Sequence, residues 1–492
     1  MTEVGQDVIL WSFIYIGVLL FIGWMGLRAK KEDTLSDHFL GGRSLGFLVL
    51  LLTLFATQYS GNSLSAFPGR AYARGFTFFV CVPYMVGIVM GYVFFAPKLF
   101  RLSRTHKFVT PSDFIRHRFQ SKGLHILSLV IFIFVLCNFL LAQLKAMGNA
   151  FAGIAGDNVE NVYVYAVIIS AAVILVYELL GGMRAVSWTD ALQGMVMFVG
   201  FAALVVVIHH SVGSPKAILT QVAKISPEKI ASPDLQGCLK WLSTFLLLTF
   251  GAPLYPQAIQ RIYAAQSGKS LRKAMAVMAF LPLFAVTAVV WIGVTGIMLI
   301  PNMERPDEVT FRVLAHLIGL NESAYIPVVI VMLAAISAIM STADSCLLSL
   351  TSIIAKDVQP QQGGDESAEK NTKWVPLYSV GIMVLLCTGA ILMQDVTLWS
   401  ILELKFETLI QISPAFVLGT LHNSDHPRAF NAQDILRGLV TGLVIAVGLY
   451  VLGYKFVGGA VHAGLIGVMA NYAVVTVSRH LRLSQVSSQP FY

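Results

Sequence analysis

Charge is scarce in this sequence. Asp, Glu, Lys and Arg make up 12% of its 492 residues, against 56% hydrophobic. Soluble domains carry about 25% charged residues. A soluble globular protein is therefore excluded, and a mean hydropathy of +0.74 points to an integral membrane protein. Cysteine is sparse and scattered. Cys81, Cys137, Cys238, Cys346 and Cys387 form no CxxC and no Cys/His cluster. They read as small apolar packing residues, with neither disulfides nor a metal implied. No Walker sequence, kinase motif or HExxH occurs. The glycine pairs Gly41-Gly42 and Gly181-Gly182 lack the strand-turn-helix setting of a phosphate loop. Within the apolar runs no His accompanies a Cys, Ser or acid, so the chain does not read as an enzyme. Long polar stretches are missing too. The longest, 359–373, reads as a flexible cytoplasmic loop, and no soluble domain is expected. The N-terminus MTEVGQDVILW has acids and no basic region, which makes it a first span and not a cleaved signal.

What the chain does have is apolar runs. Thirteen are long enough to cross a bilayer, at about 8–28, 45–68, 76–100, 124–149, 161–180, 186–210, 239–262, 273–300, 324–350, 375–394, 397–421, 434–455 and 459–478. They are called spans 1 to 13 below. Of 34 Lys and Arg, 23 lie in the segments after the odd-numbered spans and 9 after the even-numbered ones, margins included, while Lys145 and Lys405 lie inside spans. By the positive-inside rule the N-terminus is outside and the C-terminus inside. The dense basic segment 98–122 is then cytoplasmic; topology alone accounts for it, and no nucleic-acid partner is expected.

Two spans are interrupted. Span 2 runs into TLFATQYSGNSLSAFPG (53–69), full of Thr, Gln, Ser, Gly and Asn where a membrane helix should continue. Freed backbone groups at membrane depth are tolerated only where they line a cavity or meet a partner. Broken helices are how secondary transporters hold a coupling ion and a substrate. Span 7 carries Gly251, Pro253 and Pro256 inside its run, and interior prolines break helices. It lies five spans after span 2. Two broken helices at matching positions of two five-span halves point to an inverted repeat, spans 2–6 and 7–11.

Intramembrane polar residues come next. In span 9, Ala338, Ser341, Thr342 and Ser345 share one helix face, and Asp344 follows within the turn. Hydroxyls alone could be back-bonding to their own helix. A carboxylate at membrane depth is costly and points to function. Asp190 of span 6 either pairs with Arg184 or coordinates an ion. Glu178 and Arg184 read as a local ion pair. Lys145 either snorkels outward or faces the solute path. Glu403, Lys405 and Glu407 form an internal charge cluster, structural or gating.

These stretches resemble the sodium:solute symporter family, which holds the sodium-coupled sugar, proline, pantothenate and sialic acid carriers. The resemblance rests on GGMRAVSWTDALQG (181–194), HFLGGRSLG (38–46), the AxxxSG and PG of span 2, GAPLYPQAIQR (251–261) and MSTADS (340–345), in order and spacing over about 8–455. It implies an all-α polytopic LeuT-type fold of about 13 helices, with core repeats at about 45–212 and 238–421 and an extra N-terminal helix. It also implies one transporter domain over 1–480, a short cytoplasmic tail at 481–492, a plasma-membrane, multi-pass location (bacterial) and alternating access driven by Na+. No organic cofactor is implied, and the partners are a small solute and the lipid bilayer.

By the same resemblance, the main sodium site takes the carbonyls of Ala56, Tyr59 and Ala338 and the hydroxyls of Ser341 and Thr342. A second cation site, found in some members, matches Asp190, Ser341, Thr342 and Ser345, with Asp344 adjacent. The solute cavity is expected at Gln58, Phe139, Gln143, Phe245, Thr249 and Pro253, with anionic groups near Ser60. Gln58, Phe245 and Thr249 depart from the proline carriers, and GAPL replaces GQPH, which argues against proline. The expected activity is Na+-coupled uptake of a small polar organic solute, an amino acid or carboxylate before a sugar. Proton coupling through Asp190 or Asp344, or a transporter-like sensor, are the alternatives.

Overall fold

The computed structural model describes residues 3–29, 32, 34–155, 161–320, 322–358, 374–396, 398–421 and 429–487, and these are mostly helical. The polar stretch 359–373 lies outside them. Among the described residues nine helices are long and apolar enough to cross a membrane. Some carry more than one apolar run. Gly61–Val93 holds the end of span 2 and most of span 3, and Val162–Val212 holds spans 5 and 6. Span 11 is split by a tight turn at Ile410–Ile412. In span 13, which is helical over Ala463–Ser487, polar residues such as Asn471 dilute the apolar run. That helix takes in the start of the expected tail. Phe13, Val130, Leu385 and Val444 present exposed apolar side chains on helix faces, as lipid contact requires.

Both expected interruptions are present. The first helix of span 2, Phe47–Gln58, stops at Tyr59 (φ −97, ψ 89). Ser60 is extended, and its side chain accepts the Asn62 N–H as a cap. The chain resumes as Gly61–Leu64 and, after Ser65, as Ala66–Arg74. Gly61 is required here. A Cβ would run into Ile339, Ala146 and Gln143. In span 7 the helix Leu235–Gly251 gives way to a turn at Ala252–Leu254 and restarts at Pro256. Proline forces the residue before it out of helical geometry, and Tyr255 is extended (φ −54, ψ 127).

The 51-residue helix Val162–Val212 is folded at one point. At 1.5 Å per residue it would reach about 75 Å if straight, more than twice a hydrocarbon core of about 30 Å. Gly182 breaks it with φ 53 and ψ −147, a backbone state open to glycine alone. His38 packs against the place a Cβ would take. Thus the pair Gly181-Gly182 makes a hinge.

Tyr325–Ile353, which carries MSTADS, is the central helix. Of the nine it is the most buried, and it packs most extensively against Val162–Val212. The two broken spans meet at one end of the molecule. Leu45 N–H donates to the Ala264 carbonyl (3.2 Å), and Gln266 N–H donates to the Leu45 carbonyl (2.8 Å). A two-residue hairpin, Phe456–Val457 with Val461–His462, precedes the last helix.

Candidate cation and solute sites

The break at Tyr59 determines the first site. The last helical bond runs from Tyr59 N–H to Phe55 O (3.0 Å), so the Ala56 carbonyl is the first to lose its helical partner. The central helix supplies new ones. Ser341 Oγ donates to Ala56 O at 3.0 Å and Thr342 Oγ1 lies 3.5 Å from it. Ser341 Oγ also lies 3.1 Å from Ala338 O. Four of the five expected sodium ligands therefore converge: Ala56, Ala338, Ser341 and Thr342. The fifth, Tyr59, sits at the break itself, its ring packed on Phe55 and Phe201. All the ligand atoms are neutral oxygens, which suits a hard cation. A cation entering here would replace two hydroxyl-to-carbonyl bonds, and the hydroxyls would turn their lone pairs inward.

The second cluster lies one to two turns away. Asp190, Asp344 and Ser345 are all fully buried, and the structure brings them together around Arg261. The Arg261 guanidinium donates to Asp190 Oδ2 (2.6 Å) and Ser345 Oγ (2.5 Å) through Nη2, to Thr53 Oγ1 (2.7 Å) through Nε, and to the Gln257 carbonyl (3.0 Å) through Nη1. The Thr53 hydroxyl in turn donates a hydrogen bond to Asp190 Oδ2. Asp344 accepts from Tyr177 Oη (2.8 Å) and Ser345 Oγ (3.3 Å). The cluster holds two carboxylates and one guanidinium. By position Arg261 lies at the very end of span 7, on its margin with the next loop. In the fold it is completely buried. The signal for it was a basic residue inside PQAIQRIYAA, directly after the proline break.

Other charges differ from their expected pairing. Arg184 holds neither Glu178 nor Asp190. Its guanidinium grips Asp37 at 2.8 and 3.2 Å and donates to the Ala29 carbonyl, because the turn at Gly182 packs against the segment 35–43. Lys145 donates to the Met393 and Gln394 carbonyls, the last of the helix Val375–Leu392 and the turn after it. Glu403 pairs with Arg70 at 3.9 Å. Glu407 accepts from His462 Nδ1 (2.6 Å) and the Gly464 N–H.

A small cavity of about 90 Å³ lies beside the break in span 2. Of the expected solute residues, Gln58, Ser60 and Phe139 line it. Phe139 stacks on Tyr255, with ring centroids 5.1 Å apart. Gln143 instead accepts the Gly61 N–H through Oε1 (2.9 Å) and steadies the break from behind. Phe245, Thr249 and Pro253 face the helix Cys81–Val93, where Gly87 and Gly91 leave room for them. Thr244, Leu247 and Leu248 take the cavity face of that helix. Asn62, Gln257, Glu403, Lys405 and His462 complete the polar wall.

Comparisons with known proteins bear on what this arrangement serves. Residues 38–442 match the model of the sodium:solute symporter family. The chain is 27% identical to the sodium/pantothenate symporter of Haemophilus influenzae over 76% of each chain. It is 26% identical to a sodium/proline symporter of Staphylococcus aureus, over 73% of this chain and 70% of the relative. With the osmoregulated proline transporter OpuE of Bacillus subtilis it shares 24% identity over 90% and 91% of the two chains. Among solved structures, a substrate-bound, outward-open Na+-coupled sialic acid symporter superposes with a TM-score of 0.74 over 97% of this chain and 98% of the other, at 18% identity. The fold is that of this symporter.

Proposed function

The chain belongs to the sodium:solute symporter family, and from that membership we propose that it is a secondary active symporter that uses Na+ to import a small polar organic solute, an amino acid or carboxylate before a sugar. The observation that carries the reading is the pairing of Ser341 and Thr342 with the carbonyl freed at Ala56. Sodium held there bridges span 2 and span 9. It favours the outward-open arrangement, and solute in the adjoining cavity then favours closure. Coupling requires that sodium bind one arrangement better than the other. Ala338 and Tyr59 complete the ligand set.

The wider reading follows the same lines. Spans 2–6 and 7–11 form the inverted repeats, within thirteen spans, the N-terminus outside and the C-terminus inside, in a bacterial cytoplasmic membrane. Asp190, Asp344 and Ser345 form a second cation site, with Arg261 as an internal counter-charge. A specific observation favours one alternative for this cluster. Two carboxylates face one guanidinium, and a proton can balance the excess as well as a sodium ion can.

Uptake into proteoliposomes of a labelled panel of amino acids, short carboxylates, vitamins and sugars, with and without an inward Na+ gradient, tests the proposal. A substrate whose uptake vanishes without sodium is the expected result. Uptake that needs only a proton gradient would overturn sodium coupling and make Asp190 and Asp344 proton carriers.

A further inference from the structure

Lys405 is fully buried in the helix Leu398–Leu409, and among the described residues its Nζ has no hydrogen-bond partner. An ammonium has three donors. Here they meet aromatic rings. Nζ lies 3.2 Å from the Phe139 ring centroid and 5.2 Å from those of Tyr255 and Phe406. Ring faces attract a cation but accept none of its hydrogen bonds in full. The two acids on its own helix are engaged elsewhere. Glu403 pairs with Arg70, and Glu407 with His462 and Gly464.

Comparison with the other buried cations sharpens the point. Arg261 is met by Asp190 and two hydroxyls, and Lys145 by two carbonyls. A purely structural lysine would be met in the same way, since a buried charge left unpaired is strongly unfavourable. Lys405 instead lines the cavity beside the break in span 2. So do Asn62 and Gln257. Both are buried, and among the described residues neither the oxygen nor the nitrogen of either side-chain amide has a partner. Met85, Ile88 and Tyr92 line the cavity as well.

We propose that Lys405 is the anchor for the carboxylate of the transported solute, with Asn62 and Gln257 reading its neighbouring hydroxyl or amide groups, and that the solute is an organic monocarboxylate without a compensating ammonium. The inference rests on the reading of the chain as a solute carrier. An ammonium-to-carboxylate bond supplies the charge-assisted contact that the rings do not. The acid on the cavity wall, Glu403, is held by Arg70, so a zwitterion's ammonium meets no free carboxylate there. Phe139 and Tyr255 would keep Lys405 in place between transport cycles.

The test is the melting temperature of the purified full-length protein in sodium buffer. The probes are short and hydroxylated monocarboxylates, pantothenate among them, each paired with its primary amide and with the corresponding amino acid where one exists. In the wild type at least one carboxylate should raise the melting temperature, while its amide and its amino acid do so weakly or not at all. Lys405→Met should lose that shift, by about tenfold or more in apparent affinity. Lys405→Arg should keep part of it. Should Lys405→Met fail to fold, the amide pairs in the wild type decide the matter alone. Three outcomes overturn the proposal: no carboxylate shifts the wild type, an amide or sugar matches the best carboxylate, or Lys405→Met responds as the wild type does. The carrier reading is tested apart from this, by the sodium-dependent shift of the solute-free protein and its loss in Ser341→Ala. If that shift is present and the carboxylate effect is not, only the role of Lys405 falls.

Discussion

Arg261 and Asp190 form a completely buried ion pair, Nη2 to Oδ2 2.6 Å, that joins the restarted half of span 7 to span 6. Both side chains have no exposed surface. Removing one partner strands the other charge, which costs about 3–5 kcal/mol for a buried pair. Arg261→Met should therefore lower the yield and melting temperature sharply. The double variant Arg261→Met with Asp190→Asn should recover much of the loss. A thermal double-mutant cycle measures this, and strictly additive losses would show that the two do not act as a pair.

Ser341→Ala removes a hydroxyl from the oxygens gathered at Ala56. The sodium concentration for half-maximal uptake should rise by about tenfold, the equivalent of about 1.4 kcal/mol of lost ligation. Surface expression should hold, because Ser341 is buried within an otherwise well-packed helix. Uptake measured against a sodium series decides it; an unchanged midpoint would remove Ser341 from the ligand set.

Gly182→Ala and Gly17→Ala should behave in opposite ways. At Gly182 the backbone state costs an alanine about 1–3 kcal/mol, and the added Cβ meets His38 as well. At Gly17 nothing lies within 4 Å, and alanine in a helix interior gains about 1 kcal/mol over glycine. Fluorescence-detected size exclusion after heating should show Gly182→Ala lost first and Gly17→Ala at least as stable as wild type. Equal profiles would mean that the hinge bears no strain.

Acid sensitivity should trace in part to Asp113, which caps the short helix Pro111–Phe119 outside the spans. Burial alone pushes its carboxyl up, but the Lys356 ammonium at 2.6 Å and the N–H groups of Thr110 and Val109 outweigh it and hold it below the usual carboxylate range. The folded state thus binds this proton less readily than the unfolded one. The stabilisation is in full force above about pH 4, where an unfolded Asp is ionised, and is lost as pH falls through the lower folded value. Lys356→Met should lower the melting temperature at neutral pH, and the gap to wild type should close in acid. A gap that stayed constant down to strong acid would rule out the ion pair as its source.

Much of this architecture was legible in the sequence, and the gaps have physical reasons. The break in span 2 shows because Ser, Gly and Asn interrupt an apolar run, and the break in span 7 because proline cannot continue a helix. Ser341 and Thr342 show because helical spacing puts them with Ala338 on one face. What the sequence hides is rotation and long-range pairing. Thr244, Leu247 and Leu248 face the cavity while Phe245, Thr249 and Pro253 do not, and that rotation is set by Gly87 and Gly91 on a neighbouring helix. Arg184 meets Asp37 across 147 positions of chain, whereas Glu178 and Asp190 lie nearer in sequence. Arg261 is hidden because charge patterning reads a lysine or arginine by the loop it flanks, and a buried one carries no topological message.

The backbone bonds between Leu45 and the Ala264–Gln266 segment act as a yoke. They fasten the entrance of one broken span to the exit of the other through main chain, out of reach of any substitution that keeps the backbone N–H groups. Neither span can swing at that end without towing its counterpart. A conformational change that opens a path there has to carry both as one lever, with the play confined to the unwound segments at Tyr59 and Tyr255, the same places where the candidate ion and solute ligands are found.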